Sequence, residues 1–517
     1  MIGRAVAKRL GRKASIRPGK SGLKSIAASL SVGAAAIASP AHAGIVQQIQ
    51  GGDFTQVVNL GGGGTGVTPP DMGGAVGDGY VVQMLNGVVS TYTTAGAQVG
   101  TGITLDNFWT NAGAGAVIGN NPTPTTISDP RVIFDPSSGR WFASSITTTQ
   151  STNNNILVAV SNTSDPTKGF TAFAIPAGSG NFADYPTLGV NNAAVTIGTN
   201  NFGSTGLAGS SVYSIPKASL TSTTPSTTGL STFTYQFNGI GTSSITTNAP
   251  VGFTPQAVTD TAASGTSTTV LSSAFGGTSS TTGLYLSTVS GANTSSATLT
   301  PTTTVTGVFT TSPAAPTQPG GTSYDGGDTR LAAATQVNNQ IFFANSVLVS
   351  GLDEIQWGII DGSSGVLQHL GLISMSGLYL TYPSIAANAD GTFVISFNGS
   401  GSTSVIGDYY AVCSSVTFTC QNPVEDYTSP SSANNYDLLG GNRNRWGDYS
   451  WTTVDPTNPA DFWLFQEYAQ TNLSWGTVIT QVSTAVQQTV PEPGSVLLLG
   501  NGVLAFGLLR RRRPRPY

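Results

Sequence analysis

The sequence predicts an all-β chain, a β-propeller of about seven blades, flanked by an N-terminal signal peptide and a C-terminal hydrophobic sorting helix that are not part of the fold. Three observations predict it. Gly, Thr, Ser and Asn dominate the body around short apolar and aromatic runs, apolar stripes at helical spacing are missing, and one short motif recurs at the head of successive strand-like segments.

The composition also suits disorder, but the recurrent apolar and aromatic runs would be costly to leave solvated. A chain of 517 residues permits two or three ordinary domains or one large all-β domain. The near absence of helix signals favours the single domain.

The repeat opens as PPDMGGAVGDGYVVQML at Asp71, SDPRVIFDPSSGRWFASS at Asp129 and ADYPTLGVNNAAVTIGTNNF at Asp184. Further copies read GFTPQAV at Thr254, GDTRLAAATQVNNQIFFAN at Asp328, LTYPSIAANADGTFVISFN at Tyr382 and WGDYSWTTVDPTNPADFWLFQEY at Asp448. Each has a polar or Pro-containing start, an apolar strand, a turn and a second apolar strand, which is half a blade. The spacing of roughly 55 to 75 residues leaves room for four strands and their loops. Seven copies close into a ring whose motif-bearing strands line a central channel. Asp390-Gly391 and Gly139 supply the positive φ of tight hairpins, and Trp141, Phe142, Phe393, Phe397, Trp463 and Phe465 are inter-blade core. Residues 218 to 320 are Thr/Ser-rich with few aromatics, so the fourth blade is weakly marked and a count of six to eight stays open.

As an ordered set, the Pro-Pro-Asp opening, DPRV with its following GRW, DYP, and the late RWGDYS, VDP, FW and EY resemble the large secreted bacterial propellers of the sialidase-like superfamily. The resemblance covers most of residues 69 to 483. It places Asp129, Asp184, Tyr185, Asp328, Tyr382 and Asp448 at one channel mouth as candidate binding residues. Sialidases hold a substrate carboxylate with arginines and use acid, tyrosine and glutamate groups for glycosyl transfer, so the resemblance implies Arg131, Arg330, Arg445, Tyr449 and Glu467 as a catalytic set. Two departures weigh against catalysis. The segment FDPSSGRWF orders Asp135, Gly139 and Trp141 like a sialidase Asp-box but lacks its Ser-x-Asp spacing and its threonine, and no sequence-adjacent pair of carboxylates marks an acid and a nucleophile. Aspartate and arginine at strand heads also commonly pair between blades. The preferred reading is a binding or structural component of an exopolysaccharide or biofilm matrix; the alternative is a sialidase-like glycoside hydrolase.

Charge and rare residues narrow the chemistry further. Eight of the 20 basic residues fall at or before Lys24 and five after Leu509, leaving seven against 23 acidic residues in the body, a formal charge near −16. Such a body offers no basic patch for nucleic acid. Only His42 and His369 are present, which excludes a multi-histidine zinc site. Clustered carboxylates are hard oxygen donors, so calcium is the candidate ion, although no metal-ligand set can be named. Cys413 and Cys420 are close enough to close a small hairpin loop in an oxidising compartment, with two buried thiols as the other reading.

The ends are addresses. Residues 1–43 read as a signal peptide for the general secretion machinery, with a basic n-region, an apolar Ser25–Ile37 and a signal peptidase site at Ala41-His42-Ala43. Residues 44–68 read as a flexible lead-in, 69–489 as the propeller and 490–517 as a sorting signal. That last segment runs Val490-Pro491-Glu492-Pro493, an apolar stretch from Gly494 to Leu509, then Arg510, Arg511, Arg512 and Arg513. It resembles the PEP-CTERM sorting signal. The resemblance implies recognition by an exosortase, a transient hold in the inner membrane of a Gram-negative cell, cleavage near the Pro-Glu-Pro motif, and display or release outside.

Overall fold

The computed structural model describes residues 44–61, 67–118, 126–149, 152–237, 251–262, 264–273, 283–308, 311–328, 330–440 and 444–485. The signal peptide with Ala41 and Ala43, the sorting segment from Val490 onward, and Arg443 lie outside these residues. Among the described residues no helix is long and apolar enough to cross a membrane.

Seven antiparallel sheets form the seven blades of a propeller. Blades 1 to 6 begin with the inner strands Gly73–Gly77, Ile127–Asp135, Phe182–Val190, Phe253–Ala257, Ala333–Val337 and Tyr379–Ala387. Each then meanders outward by hairpins, blade 1 with three strands. The inner strands neighbour one another in ring order, and parallel bridges Asn191 to Asp260 and Thr259 to Thr335 join the lower ends of blades 3, 4 and 5. All inner strands therefore run the same way. The end at which they start is called the top.

Blade 7 is built from both ends of the propeller. It comprises Trp451–Val454, Asp461–Thr471 and Ser474–Ser483, and its outermost strand is Gly44–Asp53. Residues 44–68, expected as a flexible lead-in, thus open with the strand that closes the ring, paired from Gly44 against Ser483 to Asp53 against Gly476 with two shifts of register between. A short helix, Phe54–Asn59, follows at once, because the Asp53 carboxylate accepts from the Gln56 N–H at 2.6 Å and caps it.

The core lies between blades. Trp141 packs toward blade 1 and Phe142 toward blade 3, while Phe393 and Phe397 sit in the cluster shared by blades 5 and 6. Trp463 and Phe465 join blade 7 to blade 1. All six are fully buried. Each phenylalanine contributes about 1.5–3 kcal/mol by leaving water. At two points near the axis neighbouring blades approach too closely for a side chain. A Cβ at Gly198 would sit inside the Pro255 carbonyl, and one at Gly73 would meet the backbone of Pro130 and Arg131. Asp135, in the Asp-box-like segment, caps its own hairpin through Ser137 and Ser138 and holds Lys217 of blade 3 at 2.8 Å.

Candidate functional site at the upper channel mouth

The repeated strand heads share an uncommon backbone. Asp129, Tyr185, Thr254 and Tyr382 all have positive φ, between 51° and 58°, and each is followed by proline. At each of these steps two residues face one on the neighbouring strand, a β-bulge. Asp71, with φ 45°, heads blade 1 in the same left-handed conformation. Side chains other than glycine seldom adopt it, so neighbours must hold it in place.

The alignment of bulges corrects the sequence repeat. Asp129 occupies the left-handed position itself, whereas Asp184 stands one residue before Tyr185, which does. The recurrent aspartates are therefore not geometrically equivalent, and a strand shifted by one residue presents a different side.

A bulge frees backbone N–H groups that cannot be left unpaired once buried. The Asp129 N–H donates to Asn86 Oδ1 of blade 1 at 2.9 Å, Tyr185 N–H to Asp129 Oδ2 at 3.1 Å, and Thr254 N–H to Asn200 Oδ1 at 2.7 Å. The Asp448 N–H donates to Asp71 Oδ1 at 2.6 Å, and Asn86 Nδ2 to Asp71 Oδ2 at 2.9 Å. A second set of clasps starts two residues beyond the bulge. Arg131 Nε donates to the Pro186 carbonyl at 3.1 Å and Thr187 Oγ1 to the Pro255 carbonyl at 2.7 Å. Neighbouring blades are thus tied by side chains that the repeat itself supplies.

Two cavities open among these clasps. The larger, about 380 Å³, is lined by Asp71, Asn86, Asp129, Asp184, Arg445 and Asp448, with Phe182, Ile127 and Ile146 on its apolar side. The smaller, about 100 Å³, is lined by Asp328, Arg330, Tyr382 and Asp448 with Gly326 and Gly327. Of the binding candidates, Asp129, Asp184, Asp328, Tyr382 and Asp448 therefore face one or both. Tyr185 lies buried beneath, its ring between the Arg131 guanidinium at 4.9 Å and that of Arg330 at 4.4 Å.

The catalytic candidates are committed to structural partners, although Arg330 lines the smaller cavity and Arg445 the larger. Arg131 is 1% exposed and stacks on Tyr449 at 3.7 Å from the ring centre. The Tyr449 hydroxyl donates to the Pro130 carbonyl at 3.0 Å, and its ring is wholly buried. Glu467 is buried on the second strand of blade 7, where Oε2 accepts from the Gly447 N–H at 2.7 Å. Arg330 is held bidentately by Asp328, at 2.8 Å in both contacts, and Arg445 pairs with Asp448 at 2.7 Å. His369 lies far out on blade 5, with its ring between Trp357 and Phe418.

Burial and mutual repulsion raise the acids of the upper mouth. Asp71 is pushed well above the carboxylate range by burial and then by Asp448 and Asp129; Asp129 is raised by burial and Asp448. Asp184 is pushed to about 7 by burial and the nearby Asp129. Among the described residues no group of three or more His, Cys, Asp and Glu side chains is placed to hold a metal ion, so the calcium candidate finds no ligand set there. Sequence reasoning missed Asn86, Asn200 and Asp71 as clasping residues. For Asn200 the available signal was an asparagine inside a strand, where it is depleted; Asn86 stands in the turn between Leu85 and Val88 and gave none.

Residues 489–513 match the PEP-CTERM protein-sorting motif. The motif implies an exported protein, processed by an exosortase and associated with the surface. No curated protein matches the chain. Among solved structures, the chain is similar to an ulvan lyase of a new polysaccharide lyase family, at 9% identity over 86% of this chain and 95% of that one, TM-score 0.41. A second polysaccharide lyase matches at 9% identity over 85% and 99%, TM-score 0.40. An alpha-L-arabinofuranosidase from Fusarium graminearum matches at 9% identity over 81% and 95%, TM-score 0.36.

Proposed function

We propose that the propeller binds saccharide at its upper mouth without turning it over, as a component of an exopolysaccharide or biofilm matrix outside a Gram-negative cell. In this reading the signal peptide enters the general secretion route and is cut after Ala43. The tail then lodges for a time in the inner membrane before exosortase cleavage near Pro491-Glu492-Pro493.

The observation that carries the reading is the cavity of about 380 Å³ walled by amide, carboxylate and guanidinium groups beside the Phe182 ring. Such a wall offers acceptors and donors for sugar hydroxyls and an apolar patch for a sugar face. Its single cation, Arg445, is already paired with Asp448, so an uncharged sugar fits better than a uronate or sialate. The hydrolase alternative loses support from the same geometry. A nucleophile must reach the substrate, and Tyr449 and Glu467 are sealed under the mouth, with the Tyr449 hydroxyl and Glu467 Oε2 bonded to backbone groups.

The processed protein on a glycan array tests this. Retention of neutral oligosaccharides, unhydrolysed and lost in Asp184→Ala, is the expected result. Retention of nothing leaves a scaffold role, and sialoside hydrolysis that disappears in Arg131→Ala and Arg330→Ala restores the enzyme reading.

A further inference from the structure

The direction of the strands in blade 7 fixes where the chain leaves the propeller. Ser474–Ser483 runs from top to bottom like the inner strands, and Gly44 pairs with Ser483 at its lower end. Both ends of the described chain therefore emerge side by side at the bottom, opposite the charged mouth. From Ser483 to Pro491 is a step of eight residues, which spans at most about 28 Å. Whatever holds the tail holds the lower face close by.

That face carries a turn built unlike the others. Cys413 and Cys420 are disulfide-bonded across the base of the loop Ser414 to Thr419 at the bottom of blade 6. Ser414 Oγ accepts from the N–H groups of Val416 and Thr417, and the hydroxyls of Thr417 and Thr419 bond at 2.7 Å. This rigid frame presents Val416, at 76% exposure the most exposed large apolar side chain among the described residues. Phe418, φ 54°, stacks parallel on His369 of blade 5 with one edge still in solvent. Val366 on the lower rim of blade 5, and Ile45 and Val46 at the start of the closing strand, are also exposed. On the upper side Val58, Ile103, Leu439 and Leu473 are exposed on separate segments, the scattered pattern that needs no partner. The turn is flanked by Asp361 and Asp390, and the described lower rim of blades 5 to 7 has no Lys or Arg.

We propose that the lower face meets a zwitterionic lipid surface through the turn Ser414 to Thr419, with Val416 and Phe418 as the inserted side chains, so that the upper mouth points away from the membrane. The proposal rests on the reading that the tail is lodged in a membrane. Two apolar side chains bind a bilayer weakly alone, but a tether of this length keeps them at millimolar effective concentration beside it. The flanking carboxylates turn the face away from anionic lipid.

The full chain, tail included, reconstituted in phosphatidylcholine vesicles with brominated acyl chains tests it. Trp109, Trp141, Trp357, Trp446, Trp463 and Trp475 are buried and Trp451 lines the channel, so lipid bromine reaches only an introduced tryptophan. Val416→Trp is expected to be quenched about twofold more than Leu473→Trp, which reports the upper face, and replacing half of the lipid by phosphatidylglycerol is expected to reduce that difference. Equal quenching of the two variants in a chain that floats with the vesicles overturns the proposal alone. A chain that does not float overturns the tail reading, and the proposal with it.

Discussion

At the upper mouth the inner strands start with left-handed residues and proline, and the wall is Asp71, Asn86, Asp129, Asp184, Arg445 and Asp448. At the lower mouth the same strands end in hairpins around a cavity of about 290 Å³ whose wall mixes Val76, Ile133, Leu188, Ala257, Ile385 and Trp451 with Gln256, Asp260, Gln336, Asn388 and Asp455. One set of strands thus makes a densely charged ring at one end and a mixed, more apolar one at the other. The difference follows from the bulges. They leave buried N–H groups that only side chains of the next blade can satisfy, whereas a regular strand end needs only to be filled. A ring of polar strand heads is therefore a consequence of ring closure before it is a sign of chemistry.

If so, the two mouths respond differently to substitution. Arg131→Ala should have the largest effect, destabilising by about 3 kcal/mol or more in urea unfolding, because it empties the space under Tyr449 and leaves the Pro186 carbonyl without its donor. Arg131→Met should recover part of the loss, and full stability in Arg131→Ala would show that the clasp is ornamental. Asn200→Ala should cost about 1–3 kcal/mol, since the Thr254 N–H is left buried and unpaired. Ile385→Val at the lower mouth should cost only about 0.5–1.5 kcal/mol.

Titration separates the mouths more finely. Asp184 at the upper mouth, and the buried Asp106, Asp353 and Asp426, are each held at about 7 by burial, well above the value of 3.8 for an unperturbed aspartate. The folded protein then keeps protons that the unfolded chain has released. Stability should be greatest below about pH 4 for these groups, fall as pH rises to about 7, and level off above. A melting temperature lower at pH 8 than at pH 5.5 is the expected result. Asp184→Asn should flatten the dependence, while Ile385→Val should shift the curve without changing its slope.

The ring of blades was legible because each repeat is a local unit: strand, turn and strand within one stretch of sequence, as in Arg131 to Ser144. The closing strand was not. Its partner Ser483 lies more than 400 residues from Gly44, so no turn marks the pairing, and GIVQQIQGGD lacks the apolar-polar alternation that announces a strand. The candidate site was legible as a location and misread as an equivalence. The letters Asp129 and Asp184 look alike and both line the cavity, but a one-residue difference in register leaves only Asp129 bonded to Tyr185 N–H.

The closing strand also sets an order of assembly. It is the first strand of the described chain, and its partner is the last. Until Ser474–Ser483 has followed, blade 7 does not exist, and Gly44–Asp53 waits as an unpaired β-edge able to capture foreign strands. Completion of the ring therefore needs both ends of the propeller, and a molecule lacking either is left open rather than merely short.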